Sequence, residues 1–154
     1  METIYKTSSL INTYESIPRK YGTDDELYMV EVHTLDIIGS NHYITISEIA
    51  IVTDRTRSAV SQNVDKLIKK DLLIKYRNPN NSREMILELT DRGKIVYHHH
   101  RKLDETEYRK HMQNLKEFTT EDFQTFTKIA NGFNSGMKRA LQGKNVLKES
   151  SSEV

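Results

Sequence analysis

Thr45-Ile-Ser-Glu-Ile-Ala-Ile-Val-Thr-Asp-Arg-Thr-Arg-Ser-Ala-Val-Ser-Gln-Asn-Val-Asp-Lys-Leu-Ile-Lys-Lys70 is the stretch that decides the fold. Thr45-Ile-Ser-Glu48 fits a capping box, in which the hydroxyl and the carboxylate each satisfy a backbone N–H that the first helical turn leaves free. The short helix it opens stops near Thr53-Asp54. Thr56 is the next natural N-cap, and the helix behind it sets Ala59, Val60, Val64, Leu67 and Ile68 on one apolar stripe. Its other face shows Arg57, Ser58, Ser61, Gln62, Lys66, Lys69 and Lys70. Two helices joined by a three- or four-residue turn, the second basic and rich in Ser and Gln, predict a helix-turn-helix.

Downstream, Leu72-Leu-Ile-Lys-Tyr-Arg77 and Arg83-Glu-Met-Ile-Leu-Glu-Leu89 flank the polar run Asn78-Pro-Asn-Asn-Ser82. Met85, Leu87 and Leu89 alternate with their neighbours, so the two runs predict a β-hairpin with a polar tip. A helix-turn-helix followed directly by such a hairpin is a winged helix. Upstream, Ile4, Ile11, Tyr14 and Ile17 recur at roughly helical spacing until Pro18 and Gly22 interrupt them, and a second helix is expected from about Asp25 to Ile38. Beyond the wing, Thr90 caps a long helix reaching toward Leu115. Thr119-Thr-Glu-Asp122 opens a last one with Phe123, Phe126, Ile129, Phe133, Met137 and Leu141 on a stripe. The fold class expected is mainly α with a small β-hairpin wing. One domain is expected over residues 1–143, with the winged helix at about 43–92 and flanking helices at about 3–20 and 94–142. Residues 144–154 read as a polar, disordered tail.

The net charge of +1 hides an uneven distribution. Residues 1–53 hold three Lys/Arg against eight Asp/Glu, residues 54–83 hold eight against three, and residues 84–154 hold twelve against eleven. A compact basic segment in an otherwise acidic or neutral chain is the footprint of a nucleic-acid-reading element, although a solvated basic helix face has the same composition. In the recognition helix, Arg57, Ser58, Ser61 and Gln62 sit where base edges are read. Arg suits guanine and Gln suits adenine in bidentate geometry. Thr56, Asn63 and Lys66 are assigned to phosphates. Arg77 and Arg83 are the wing's cationic contacts.

Hydrophobic residues make up 36% and charged residues 29%, a modest core for this length. The Phe123–Leu141 stripe is too apolar for an exposed helix on so polar a chain. It packs either on its own domain or on another subunit, with Ile4, Ile11, Tyr14, Phe123, Phe126, Phe133 and Met137 forming the seam in the second case. Two recognition helices would then lie about one DNA turn apart. Zero cysteines exclude disulfides and thiolate metal sites. No apolar run approaches membrane-spanning length, and Met1-Glu-Thr-Ile-Tyr-Lys lacks a secretory signal's basic and apolar regions, so a cytoplasmic protein is expected. There is no Gly-x-Ser-x-Gly, no phosphate-cradling glycine loop and no His-Glu-x-x-His, so no enzyme is expected.

Ile46-Ser-Glu-Ile-Ala50, Ser58-Ala-Val-Ser-Gln-Asn-Val-Asp-Lys-Leu67 and Leu87-Glu-Leu-Thr-Asp-Arg-Gly93, in this order between flanking helices, resemble the MarR family of bacterial transcriptional regulators. The resemblance covers about residues 4 to 141. The family usually carries acidic residues around the wing proline and two arginines after it. Here Asn78-Pro79-Asn80-Asn81-Ser82-Arg83 keeps one arginine. The resemblance implies a homodimer joined by its terminal helices, bound to a pseudo-palindromic double-stranded operator, most often as a repressor released by an effector. The contrasting expectation is a helical protein-interaction module that retains a winged helix without binding DNA.

The histidines bear on the effector. His100 and Asp104 are spaced i, i+4, which lets both side chains grip one cation. Zinc-sensing members are similar in carrying a His on the second helix and a His-rich stretch after the wing. That likeness makes Glu15, His33, His100 and Asp104 candidate ligands, with Asp104 standing where a second His is expected. Val32-His-Thr-Leu-Asp-Ile-Ile-Gly39 is equally similar to members that repress fatty-acid synthesis genes and sense acyl chains, in which case His33 is a hydrogen-bonded interface residue. Solvated histidines are the third alternative. Metal, acyl chain and small aromatic molecule all stand as effector classes.

Overall fold

The computed structural model describes the backbone of residues 1–150 and the side chains of residues 1–141. Its elements follow the expected order. Helix α1, Glu2–Glu15, is followed by a two-residue antiparallel pair that the sequence did not reveal, β1 (Arg19–Lys20) with β2 (Glu26–Leu27). Helix α2 is Met29–Ser40. It starts later than expected because β2 takes Glu26 and Leu27, and because Glu31 caps the helix by accepting the Tyr28 amide at 2.9 Å.

Helices α3 (Ile46–Val52) and α4 (Arg57–Lys69) form the helix-turn-helix. Both expected caps are made: Thr45 Oγ1 accepts the Glu48 amide at 3.3 Å and Thr56 Oγ1 accepts the Ala59 amide at 3.2 Å. Strands β3 (Leu73–Asn78) and β4 (Asn81–Leu89) pair antiparallel as the wing. The turn is only Pro79-Asn80, shorter than the five-residue tip expected, because Asn78 and Asn81 pair with each other. Their side chains also serve the turn, Asn78 Oδ1 accepting the Asn80 amide at 2.9 Å and Asn81 Oδ1 the Arg83 amide at 3.3 Å.

Helix α5, Asp91–Asn114, begins where the Thr90 hydroxyl accepts the Gly93 amide at 2.9 Å and donates to the Asp71 carbonyl at 2.7 Å. Gly93 faces the Leu72 carbonyl so closely that any Cβ there would collide with backbone. Arg92 pairs with Asp25 at 2.6 Å. The Thr90-Asp-Arg-Gly93 run is thus a packing device that seats α5 on the end of the helix-turn-helix. Helix α6, Thr120–Ser150, is capped by Thr119, whose amide reaches Asp122 at 2.8 Å. The Thr119 amide and hydroxyl hold the Asp122 carboxyl below the usual carboxylate range.

The chain divides into two compact units, residues 1–107 and 108–154, where the sequence reading runs one domain to 143. The reason lies in α5: its buried residues, Gly93, Val96 and His100, all belong to its first half. The first unit's core joins Val32, Leu35 and Ile38 of α2 to Ile49 of α3, Val64 and Leu67 of α4, and Leu73 and Leu87 of the wing. The backbone of α6 continues seven residues past the expected boundary at 143, since no proline or other stop signal follows Gly143. The end of the expected tail, residues 151–154, lies outside the described residues.

Candidate nucleic-acid interface

The apolar stripe of α4 decides what its other face can do. Val60, Val64 and Leu67 are buried, which leaves Arg57, Ser58, Gln62 and Lys66 exposed and Ser61 half-buried. A cleft of about 690 Å³ runs between the first turns of α4 and the wing, and brings Arg57, Ser58 and Ser61 opposite Lys75 and Arg83. Among the described residues Arg57, Lys66, Lys75 and Arg83 are in no ion pair. The two carboxylates of the cleft are already engaged. Glu48 takes the Thr45 amide and hydroxyl, each at 2.8 Å, and Glu84 takes the Asn78 amide nitrogen at 3.1 Å. The cleft therefore presents cations outside any ion pair, together with hydroxyls, the donor set that phosphates and base edges accept.

Tyr43, Ser47 and Lys75 also line the cleft and were not singled out by the sequence. Period-2 alternation was the available signal for Lys75, since it shares a strand face with Arg77. Tyr43 carries no such signal. Arg77 is exposed but does not line the cleft. Beside the cleft, the Tyr76 phenol is pushed above its ordinary pKa by desolvation first, then by Glu88, with a smaller push from Tyr43.

One residue of α4 and its C-cap turn inward instead. Asn63, assigned to phosphate by the sequence, donates its side-chain amide to Thr34 Oγ1 at 2.7 Å and to the Val30 carbonyl at 3.2 Å. Lys70, counted on the basic face, pairs with buried Glu31 at 2.8 Å and also donates to the Glu26 carbonyl at 3.1 Å. Both tie the recognition helix to α2 and its approach.

The histidine cluster is assembled only in part. The His33 and His100 rings lie 5.5 Å apart, and His100 Nε2 faces Asp104 at 3.3 Å. Tyr21 stands edge-on to His100 at 5.6 Å, and burial lowers the His100 pKa despite the opposing pull of Asp104. Glu15 borders a separate cavity of about 390 Å³ with His33, Thr34 and Asn63, between α2, α3 and α4. A zinc ion needs its ligands to converge within about 2.0–2.2 Å. Among the described residues no group of three His, Asp or Glu is placed to hold a metal ion, so Glu15, His33, His100 and Asp104 do not fit zinc here. His100 is a buried residue whose ring packs α5 against Tyr21 and against His33 of α2.

The residues expected to join two subunits are uncovered. In α1 no residue is buried, and Ile4, Ile11 and Tyr14 are all exposed, Tyr14 carrying the Arg19 guanidinium over its ring at 4.0 Å. In α6, Phe126 is 70% and Ile129 66% exposed, and Met137 and Leu141 are exposed as well. Phe123 and Phe133 are half-buried, Phe123 against a small apolar hollow with Leu115 and Phe118. No helix among the described residues is long and apolar enough to cross a membrane.

A helix-turn-helix followed by a two-stranded wing, with a cleft between them, defines a winged helix-turn-helix fold. Residues 27–85 match the MarR family model, and over that stretch the chain is similar to this family. It is 25% identical over 103 residues to the uncharacterised HTH-type transcriptional regulator YhjH of Bacillus subtilis, covering 67% of this chain and 59% of that one. It is 28% identical over 94 residues to the HTH-type transcriptional regulator PchR of the same organism, covering 61% and 56%. The chain thus matches less than two thirds of the length of these curated relatives. Its fold is that of the adhesin competence repressor AdcR of Streptococcus pyogenes, at a TM-score of 0.72 and 18% identity over 88% of this chain and 95% of that one. The same holds for Lactococcus lactis ZitR in complex with DNA, at 0.68 and 19% over 88% and 96%. Streptococcus pneumoniae FabT in complex with DNA gives 0.65 and 20% over 89% and 95%.

Proposed function

We propose that this chain is a sequence-specific, homodimeric DNA-binding transcriptional repressor that an effector releases from its operator. The observation that carries this reading is the cleft in which Arg57, Ser58 and Ser61 face Lys75 and Arg83, with none of these three cations held in an ion pair among the described residues. An interaction module that merely kept the winged helix has no use for unpaired cations gathered there, and charge complementarity to a duplex explains them. Two of the structural neighbours, FabT and ZitR, are themselves held on DNA.

The uncovered apolar stripes of α1 and α6 support pairing with a second copy, which would bury side chains that the single chain leaves in water. Release has a route through α2. The cavity between α2, α3 and α4 is lined by both Thr34 and Asn63, so a molecule lodged there competes for the bond that sets the recognition helix on α2.

The test is selection of a duplex from a randomised pool, followed by affinity measurement over a range of salt. Binding should weaken steeply as salt rises, because each phosphate contact releases counterions, and the enriched sequence should be pseudo-palindromic. Recovery of no sequence above background, at any salt, would reject the reading.

A further inference from the structure

Three non-glycine residues have a left-handed backbone: Tyr43 at φ 60°, Asp54 at φ 53° and Asp71 at φ 56°. Asp54 and Asp71 directly follow the C-caps of α3 and α4, where a left-handed residue is the ordinary way to close a helix and a short polar side chain tolerates it. Tyr43 has neither justification. It precedes Ile44, whose carbonyl accepts the Leu87 amide at 3.1 Å in the short bridge to the wing. A bulky aromatic residue is disfavoured in this conformation, where glycine or asparagine would be free of strain.

The strain is not repaid by burial, because Tyr43 is 65% exposed. What the conformation does achieve is placement. Tyr43 lines the cleft together with Arg57, Ser61, Lys75 and Arg83, and the residue after it, Ile44, is bridged to Leu87 of the wing. The first turns of α4 project base-reading side chains toward the middle of that cleft. An exposed phenol lining that cleft is placed to donate to the sugar–phosphate strand that borders the groove. Strained residues held without intramolecular return collect where a ligand supplies the missing contact.

We propose that Tyr43 is a DNA-contacting residue, its phenol O–H donating to a backbone phosphate between the recognition helix and the wing. This rests on the DNA-binding reading above. The contact fixes the depth of the recognition helix without reading sequence, and as a neutral donor it releases no counterion.

The experiment compares wild type, Tyr43→Phe, Tyr43→Gly and Arg57→Ala by fluorescence anisotropy. The probes are a duplex enriched by the wild type from a randomised pool and an unrelated duplex, each at several salt concentrations. Melting of the DNA-free proteins is measured beside it. Tyr43→Phe should bind both duplexes about fivefold to tenfold more weakly with an unchanged salt slope. Tyr43→Gly should bind at least as weakly while its Tm rises by a few degrees, since glycine relieves the backbone. A residue with a merely structural role would lower Tm on removal. Wild-type affinity in both Tyr43 variants, or a lower Tm for Tyr43→Gly, overturns the inference. If Arg57→Ala weakens binding and the Tyr43 variants do not, this inference alone fails. A wild type that binds neither duplex removes the DNA-binding reading and this inference with it.

Discussion

Asn63 of the recognition helix donates its side-chain amide to Thr34 Oγ1 of α2 at 2.7 Å, and the Thr34 hydroxyl in turn donates to the Val30 carbonyl at 2.8 Å. One turn and a half of sequence logic would send Asn63 outward to a phosphate. The structure spends it on holding two helices together.

Asn63→Ala should therefore lower stability in the absence of DNA. Two half-buried hydrogen bonds are lost, while the Thr34 hydroxyl keeps its own acceptor, so the cost is about 1–2 kcal/mol. Urea denaturation measures it. Unchanged stability with weaker binding to every duplex would return Asn63 to the phosphate-contact role.

Lys70→Ala removes the ammonium partner of Glu31, a carboxylate whose side chain is 5% exposed. Glu31 would keep only the Tyr28 amide. Breaking a fully buried pair costs about 3–5 kcal/mol, and the partial exposure of Lys70 places this case at the lower end or below. Lys70→Ala should lose more stability than Lys69→Ala, an exposed neighbour, in the same denaturation series.

Arg57→Ala should cost about 1–3 kcal/mol on the selected duplex and relax specificity at one base pair, whereas Lys66→Ala should weaken all duplexes alike and flatten the salt dependence. Competition binding against single-base variants of the duplex separates the two. Equal losses on all sequences for Arg57→Ala would move it from base edge to phosphate.

Phe126→Asp tests the assembly. In a lone chain Phe126 is largely solvated, so the substitution would be nearly silent. In a dimer seam it leaves a carboxylate without a partner among apolar side chains, at a cost of several kcal/mol. Light scattering should show the dimer lost, and operator binding should fall although the wing is intact. A soluble Phe126→Asp dimer that still binds would remove α6 from the interface.

Zinc should leave the melting temperature unchanged, because His33, His100 and Asp104 meet only in pairs. His100→Ala should still destabilise by about 2–4 kcal/mol as a buried ring replaced by a cavity. Stabilisation by zinc that vanishes in His100→Ala would show that the ligands converge after all.

The helix-turn-helix and wing were legible because their determinants are local. Thr45, Glu48 and Thr56 satisfy amides three residues away, and Val60, Val64 and Leu67 recur with the helical period whatever they pack against. Strand alternation and the Pro79-Asn80 turn are local in the same sense, and these elements alone set the fold class. The sequence could not say which polar residues are spent inside the protein. Asn63 finds Thr34 at a separation of 29 residues and Lys70 finds Glu31 at 39. A side chain at the flank of an apolar stripe faces either solvent or a neighbouring helix, and only the position of that neighbour decides which. The same dependence governs His33 and His100, whose approach was foreseen but whose geometry falls short of a metal site. It governs Tyr43 too, whose place beside the wing becomes visible only once the next residue, Ile44, has met Leu87. Periodicity and capping act within a few residues along the chain, whereas partners across it exist only once the elements have packed.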